Sequence, residues 1–127
     1  MEKISVTHFD NKHGEWLSAL GFYTEEIDLL KKRLTEIAGK NSAQDVLKEV
    51  EHYENQLTVQ SDNIQALRHD IHANDVAVRS QLEDSKEGYV DKQLYKTHQE
   101  LIDRFSSEEK VFKEVREEFM QFAATWM

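Results

Sequence analysis

Residues 16–37, WLSALGFYTEEIDLLKKRLTEI, place Trp16, Leu20, Tyr23, Ile27, Leu30, Leu34 and Ile37 at alternating steps of four and three. That spacing returns a side chain to the same helix face about once per turn, so the stretch carries one apolar stripe in an otherwise polar surface. Extended backward through Val6, Phe9 and His13, the stripe has ten positions. A second runs through Val46, Val50, Tyr53, Leu57, Gln60, Ile64, Leu67, Ile71, Asn74 and Val78. A third runs through Leu94, His98, Leu101, Phe105, Glu108, Phe112, Val115, Phe119, Phe122 and Trp126. Three stripes of equal length predict an all-α fold: an antiparallel three-helix bundle of long, coiled-coil-like helices, shaped as an elongated rod.

Composition supports one helical unit over residues 1–127. There is no Pro and there are only four Gly in 127 residues, so the usual punctuation of sheets and linkers is missing. The absence of Cys excludes disulfides, thiolate catalysis and Cys-based zinc or iron-sulfur sites. No apolar run reaches the roughly 20 residues of a membrane span, and the first residues, Met1-Glu2-Lys3-Ile4-Ser5, lack the apolar core of a signal peptide, so a cytoplasmic location is expected. The chain is acidic, with a net charge of -9. Most of the excess lies in residues 41–84, where Lys48, Arg68 and Arg79 face nine acids. That face repels polyanions, and the Lys31-Lys32-Arg33 triplet is too short to compensate, so neither nucleic acid nor an anionic membrane is an expected partner.

Two links set the boundaries. In Ile37-Ala38-Gly39-Lys40-Asn41, Gly39 reads as the left-handed cap of the first helix, and Ser42 with Asp45 reads as the start of the second. Asp84-Ser85-Lys86-Glu87-Gly88 reads as the second turn. The helices then cover about residues 5–38, 43–82 and 89–126, each roughly 50–60 Å long. Gly14 weakens the start of the first, and Asp10-Asn11 is where it would break. Counting outward from the two reversals gives layers such as Ile37/Val46/Trp126, Leu30/Tyr53/Phe119, Tyr23/Gln60/Phe112, Leu20/Ile64/Glu108, Trp16/Leu67/Phe105, His13/Ile71/Leu101 and Phe9/Asn74/His98. The half nearest the first link is bulky and apolar. The other half holds Gln60, Glu108, His13, Asn74 and His98 at stripe positions, where a polar side chain fixes register at a cost in stability.

These polar positions are the only candidates for chemistry. His13, Asn74 and His98 fall in adjacent layers and are expected to form a hydrogen-bonded cluster. A zinc or di-iron site needs more: three protein ligands, or two Glu-x-x-His pairs with further carboxylates. Glu49 and His52 form the one Glu-x-x-His, and Val50 takes the stripe between them, which turns both outward. His69 and His72, with Asp70 and Asp75 near, lie on the outer face beside Ile71 and read as solvated. Glu108, between Leu20 and Ile64, is expected to pair with Arg104 or Arg68 rather than to serve as a buried acid. No nucleophile, oxyanion donor or pocket accompanies it, so an enzyme is not expected and no catalytic, cofactor-binding or metal-ligating residue is assigned.

Outside the stripes, Phe22 and Leu29 recur seven residues apart on the first helix, and Val59, Ala66 and Ala73 do so on the second. Such positions are polar on an isolated bundle, so they point to a second copy, as in a homodimer or larger homo-oligomer, or to a helical partner. The segment Ile37-Ala38-Gly39-Lys40-Asn41-Ser42 through Val50-Glu51-His52-Tyr53-Glu54-Asn55-Gln56-Leu57, with the Trp126-Met127 ending, resembles small uncharacterised bacterial helical-bundle proteins, a likeness that implies no activity, cofactor or site residue. In outline the architecture is also similar to spectrin-type three-helix repeats, which carries no function. The expected role is a non-enzymatic protein-protein interaction or scaffold bundle with no small-molecule substrate evident. The alternative is a metal-binding bundle of the haemerythrin or ferritin type, using His13, His98 and carboxylates.

Overall fold

The computed structural model describes residues 3–5, 12–85 and 89–126. It is a bundle of three long helices, α1 (His13–Lys40), α2 (Gln44–Ser85) and α3 (Lys92–Trp126), with two three-residue strands, β1 (Lys3–Ser5) and β2 (Tyr89–Asp91). The 42 residues of α2 span roughly 63 Å, which makes the molecule a rod. α2 lies between its neighbours as the chain reverses, and α1 and α3 are less closely apposed to each other than either is to α2.

The stripes are the core. On α1, every stripe position from His13 to Ile37 is buried. On α2, Val46 and each stripe position from Tyr53 to Val78 are buried, with Val50 half-covered. On α3, His98, Leu101, Phe112, Val115, Phe119 and Phe122 are buried, and Leu94, Phe105 and Glu108 are half-covered. Three inter-helix ring pairs fall in the expected layers, whereas Tyr53 meets Phe122 in the adjacent layer at 5.0 Å and Trp16 meets His98 two layers on at 5.5 Å. The rings of Tyr23 and Phe112 lie 4.6 Å apart, those of Trp16 and Phe105 5.9 Å apart, and those of Tyr53 and Phe119 5.8 Å apart. Trp126 departs from the expected layer. It is 41% exposed, and Ala123, one position beyond Phe122, is buried at that end instead.

The ends of the helices differ from the sequence reading in three ways. First, α1 begins at His13, not near residue 5, and β1 occupies Lys3–Ser5. β1 pairs antiparallel with β2, Ile4 opposite Val90. Lys3-Ile4-Ser5 and Tyr89-Val90-Asp91 are centred on β-branched residues, which favour an extended backbone over continuing α1 back to residue 5 or α3 back to residue 89. The stripe positions Val6 and Phe9 lie outside the described residues.

Second, Gly39 is helical and the chain leaves α1 at Asn41, whose backbone is extended. The Asn41 side-chain amide donates to the Ile37 carbonyl at 2.8 Å, closing a helix end that a left-handed glycine was expected to close. α2 then starts at Gln44, with the Leu47 amide donating to the Ala43 carbonyl at 3.1 Å, so Ala43 rather than Ser42 holds the cap position. Third, α2 continues to Ser85 and α3 begins at Lys92 rather than residue 89. Asp91 caps α3 by accepting the Gln93 amide at 2.8 Å, while its own amide donates to Gln81 Oε1 at 2.6 Å.

Removal of a core ring and of a surface side chain separates the two environments. Phe112→Ala deletes a fully buried ring facing Tyr23 and is expected to cost about 3–5 kcal/mol in chemical denaturation. Val76→Ala, at a site 51% exposed, is expected to change stability by less than about 0.5 kcal/mol.

Candidate functional site

The polar cluster stands where the start of α1 meets α2 and α3. His13 and Asn74 are 3% and 4% exposed and His98 is 1% exposed, so all three are core residues. The stripe periodicity of each helix delivers its polar group to one place. His13 Nε2 lies 3.0 Å from Asn74 Oδ1 and 3.3 Å from His98 Nδ1. The Asn74 amide nitrogen donates to the Leu94 carbonyl at 3.3 Å, which ties α2 to the first turn of α3. Trp16 closes the cluster from one side, its ring 5.5 Å from both imidazoles. The three residues named by sequence are therefore in contact, with His13 as the central member.

Sequence reasoning missed the charges around them. Asp75, grouped there with His69 and His72, turns instead to His13, with Oδ1 3.1 Å from Nδ1. Its other oxygen, Oδ2, pairs with Arg79 Nε at 3.0 Å, one turn later on α2. The available signal was the sequence Asn74-Asp75 with Arg79 four residues on. A carboxylate beside a stripe position is placed to reach the neighbouring helix, and a basic residue one turn away can steady it. His69 and His72 are exposed, and His69 interacts with Asp70 on its own helix. Glu49 and His52 are both exposed, as the position of Val50 required. Among the described residues no group of three or more His, Asp and Glu is arranged to hold a metal ion.

Glu108 corrects a specific expectation. Neither arginine pairs with it. Arg104 Nη1 instead donates to Asp70 Oδ2 at 2.7 Å, an interaction that holds the Asp70 carboxyl below its ordinary range. Arg68 faces α1, its Nη2 3.9 Å from where a Cβ on Gly21 would lie. Glu108 Oε1 is buried with no hydrogen-bond partner among the described residues, and desolvation raises its carboxyl above the ordinary value. The side chain lines a shallow groove of about 400 Å³ between α2 and α3, with Asn63, Ala66, Ser107 and Val111 beside it. Arg104 stands one turn from Glu108 along α3 but also opposite Asp70 of α2, and the cross-helix carboxylate captures it.

A second polar cluster crosses the α1–α3 seam. The Tyr23 hydroxyl donates to Glu109 Oε2 at 2.7 Å, and Arg116 holds both oxygens of Glu26 at 3.1 and 3.2 Å. Burial first, and then the bond to Glu109, pushes the Tyr23 hydroxyl up to about 12, so this phenol stays protonated as a donor. These groups are paired with one another beside the core.

Comparison with protein-family models, with curated proteins and with solved structures finds no match to this chain.

The unpaired carboxylate generates a pH prediction. A raised folded-state value means that the contribution of Glu108 to stability is fully present below the unfolded carboxylate value and is lost as pH rises through the folded one. Glu108→Leu is therefore expected to raise the melting temperature at neutral pH and leave it nearer the parent's at about pH 4. Melting curves at both pH values check this. A lower melting temperature for Glu108→Leu at neutral pH would contradict the unpaired assignment.

Proposed function

We propose that this chain is a cytoplasmic, non-enzymatic interaction or scaffold bundle that self-associates through the face shared by α1 and α3. The observation that carries this reading is a line of exposed apolar side chains. Phe22 and Leu29 on α1 are 61% and 59% exposed, and Met120 on α3 is 45% exposed. Leu29 and Met120 line one groove of about 610 Å³, completed by Lys32, Arg33, Glu36, Ala123 and Ala124. The groove exists because α1 and α3 are the least closely apposed pair of helices. Single exposed apolar residues are ordinary on protein surfaces, but bulky ones aligned seven residues apart beside a groove give another helix a place to pack.

Charge favours a second copy as that helix. Along α1, Glu25 lies four residues before Leu29 and Arg33 four residues after it, all toward the outer side. Two copies of α1 crossing antiparallel at Leu29 would set Glu25 of each opposite Arg33 of the other. A twofold contact requires this self-complementarity. No helix among the described residues is long and apolar enough to cross a membrane, and the acidic α2 lies away from this groove. The non-enzymatic part of the proposal rests on the pairing already described: the buried polar groups of the two clusters bind one another across helices, with no nucleophile, base and pocket together among the described residues.

Light scattering at high micromolar concentration tests the proposal. The parent chain is expected to be a dimer. Phe22→Lys with Leu29→Lys is expected to be monomeric with unchanged helix content. A parent that is monomeric at this concentration would refute association through this face.

A further inference from the structure

The seam between α2 and α3 carries a groove of a different character from the one beside Leu29. One depression of about 400 Å³ lies beside Ala66, Glu108 and Val111, and a second of about 350 Å³ lies beside Ala73, Ala77 and Leu94. Arg104 lines both, and its pair with Asp70 stands between them. Ala66 to Ala77 covers roughly 16 Å of α2, about three helical turns. Alanines at these positions let another helix axis come close, and Ala66 and Ala73, seven residues apart, seat two side chains at that same interval. Val59 on α2 and Val111 on α3, 53% and 40% exposed, continue the apolar surface beyond the first depression.

Charge identifies the occupant. The groove is lined by four acids, Asp70, Glu100, Asp103 and Glu108, and by one base, Arg104, which Asp70 already holds at 2.7 Å. Glu108 Oε1 is buried with no hydrogen-bond donor among the described residues, so the chain by itself leaves this group desolvated and unpaired. Gln56 Oε1, one turn before Val59 on the same flank of α2, is in the same condition. What is missing along this seam is a donor, not an acceptor. A second copy does not supply it through a twofold contact, because that contact sets the same carboxylates opposite one another in a chain of net charge -9. The groove beside Leu29, with Lys32, Arg33 and Glu36, carries both signs of charge.

We propose that the α2–α3 groove receives a basic amphipathic helix of a different protein, its apolar face on Ala66 and Ala73 and an arginine or lysine directed at Glu108. Both cationic side chains have donors only, so either satisfies the orphaned carboxylate without bringing an acceptor that would itself go unmet. Glu108 is half-covered whereas Glu100 and Asp103 are exposed, so the charged bond to Glu108 is the strongest of the three and sets the register of the incoming helix. The exposed acids steer its approach. This surface uses the flank of α3 that faces α2, and its occupancy does not depend on whether the chain self-associates beside Leu29.

Synthetic peptides titrated into the full-length, ¹⁵N-labelled chain at about 0.15 M salt test this. The probes are helical peptides of about four turns, with leucine and alanine at seven-residue intervals and arginine beside them in several registers; a control set has glutamate at the arginine positions. At least one arginine peptide is expected to bind and to shift the amides of Ala66, Ala73 and Val111 but not those of Phe22 and Leu29. Glu108→Gln is expected to weaken that binding roughly tenfold, and Glu100→Gln by no more than about threefold. Ala66→Lys with Ala73→Lys, at two exposed helix positions, is expected to abolish binding with circular dichroism unchanged. The proposal is overturned if no arginine peptide binds, if the glutamate set binds equally, if Glu108→Gln binds as the parent does, or if the shifts fall on another face. Concentration-dependent shifts at Ala66 and Ala73 without peptide would also overturn it, because a second copy would then be the occupant.

Discussion

Leu20, Ile27 and Leu34 of α1, Leu57, Ile64 and Ile71 of α2, and Phe112 and Phe119 of α3 are all 1% exposed or less. Withdrawing a side chain of this size from water contributes roughly 1.5–3 kcal/mol, and a helix can withdraw only the stripe that faces its neighbours. Each helix here therefore depends on the other two. The tight link between α1 and α2 fixes their relative register, and Asn41 closes that link by bonding back to Ile37 while its amide also lies 3.5 Å from the Trp126 carbonyl. The position of every later polar group, including His13 opposite Asn74, follows from this starting point.

Much of the fold was legible because the stripe period is a property of single side chains. Tyr23 meets Phe112 and Trp16 meets Phe105 where counting from the links places them. The ends were not legible, because they are decided by competition between nearly equal backbone states. Lys3-Ile4-Ser5 is a strand only because Tyr89-Val90-Asp91 is there to pair with it. That pairing couples residues far apart in sequence, and no local pattern announces it. Gly39 illustrates the same limit. A glycine at a helix end suggests a left-handed cap, but Asn41 reaches the Ile37 carbonyl and makes that cap unnecessary.

In the polar half, the cluster was legible and its chemistry was not. Placing His13, Asn74 and His98 together needs only the layer count. Assigning donors and acceptors needs the direction of the Asn74 amide, and that is set by the Leu94 carbonyl. For Glu108 the sequence offers two arginines within reach, and only the folded geometry reveals that Asp70 takes one and α1 the other. Charge pairing on a helical rod is a contest among several neighbours at similar distance, so proximity along one helix does not decide the partner. The consequence is a rod with two unlike halves, one filled by interlocking rings and branched side chains and one in which buried apolar residues such as Leu67, Ile71 and Leu101 are joined by the directional polar contacts of His13, Asn74 and His98.

This division is most directly tested by native-state hydrogen exchange across the chain. Amides in the apolar half, near Leu30 to Leu34, Tyr53 to Leu57 and Val115 to Phe119, should exchange only through global unfolding. Those near Trp16, Asn74 and His98 should exchange through smaller openings of lower free energy. Equal protection along the whole rod, or greater protection at the His13 end, would contradict the account.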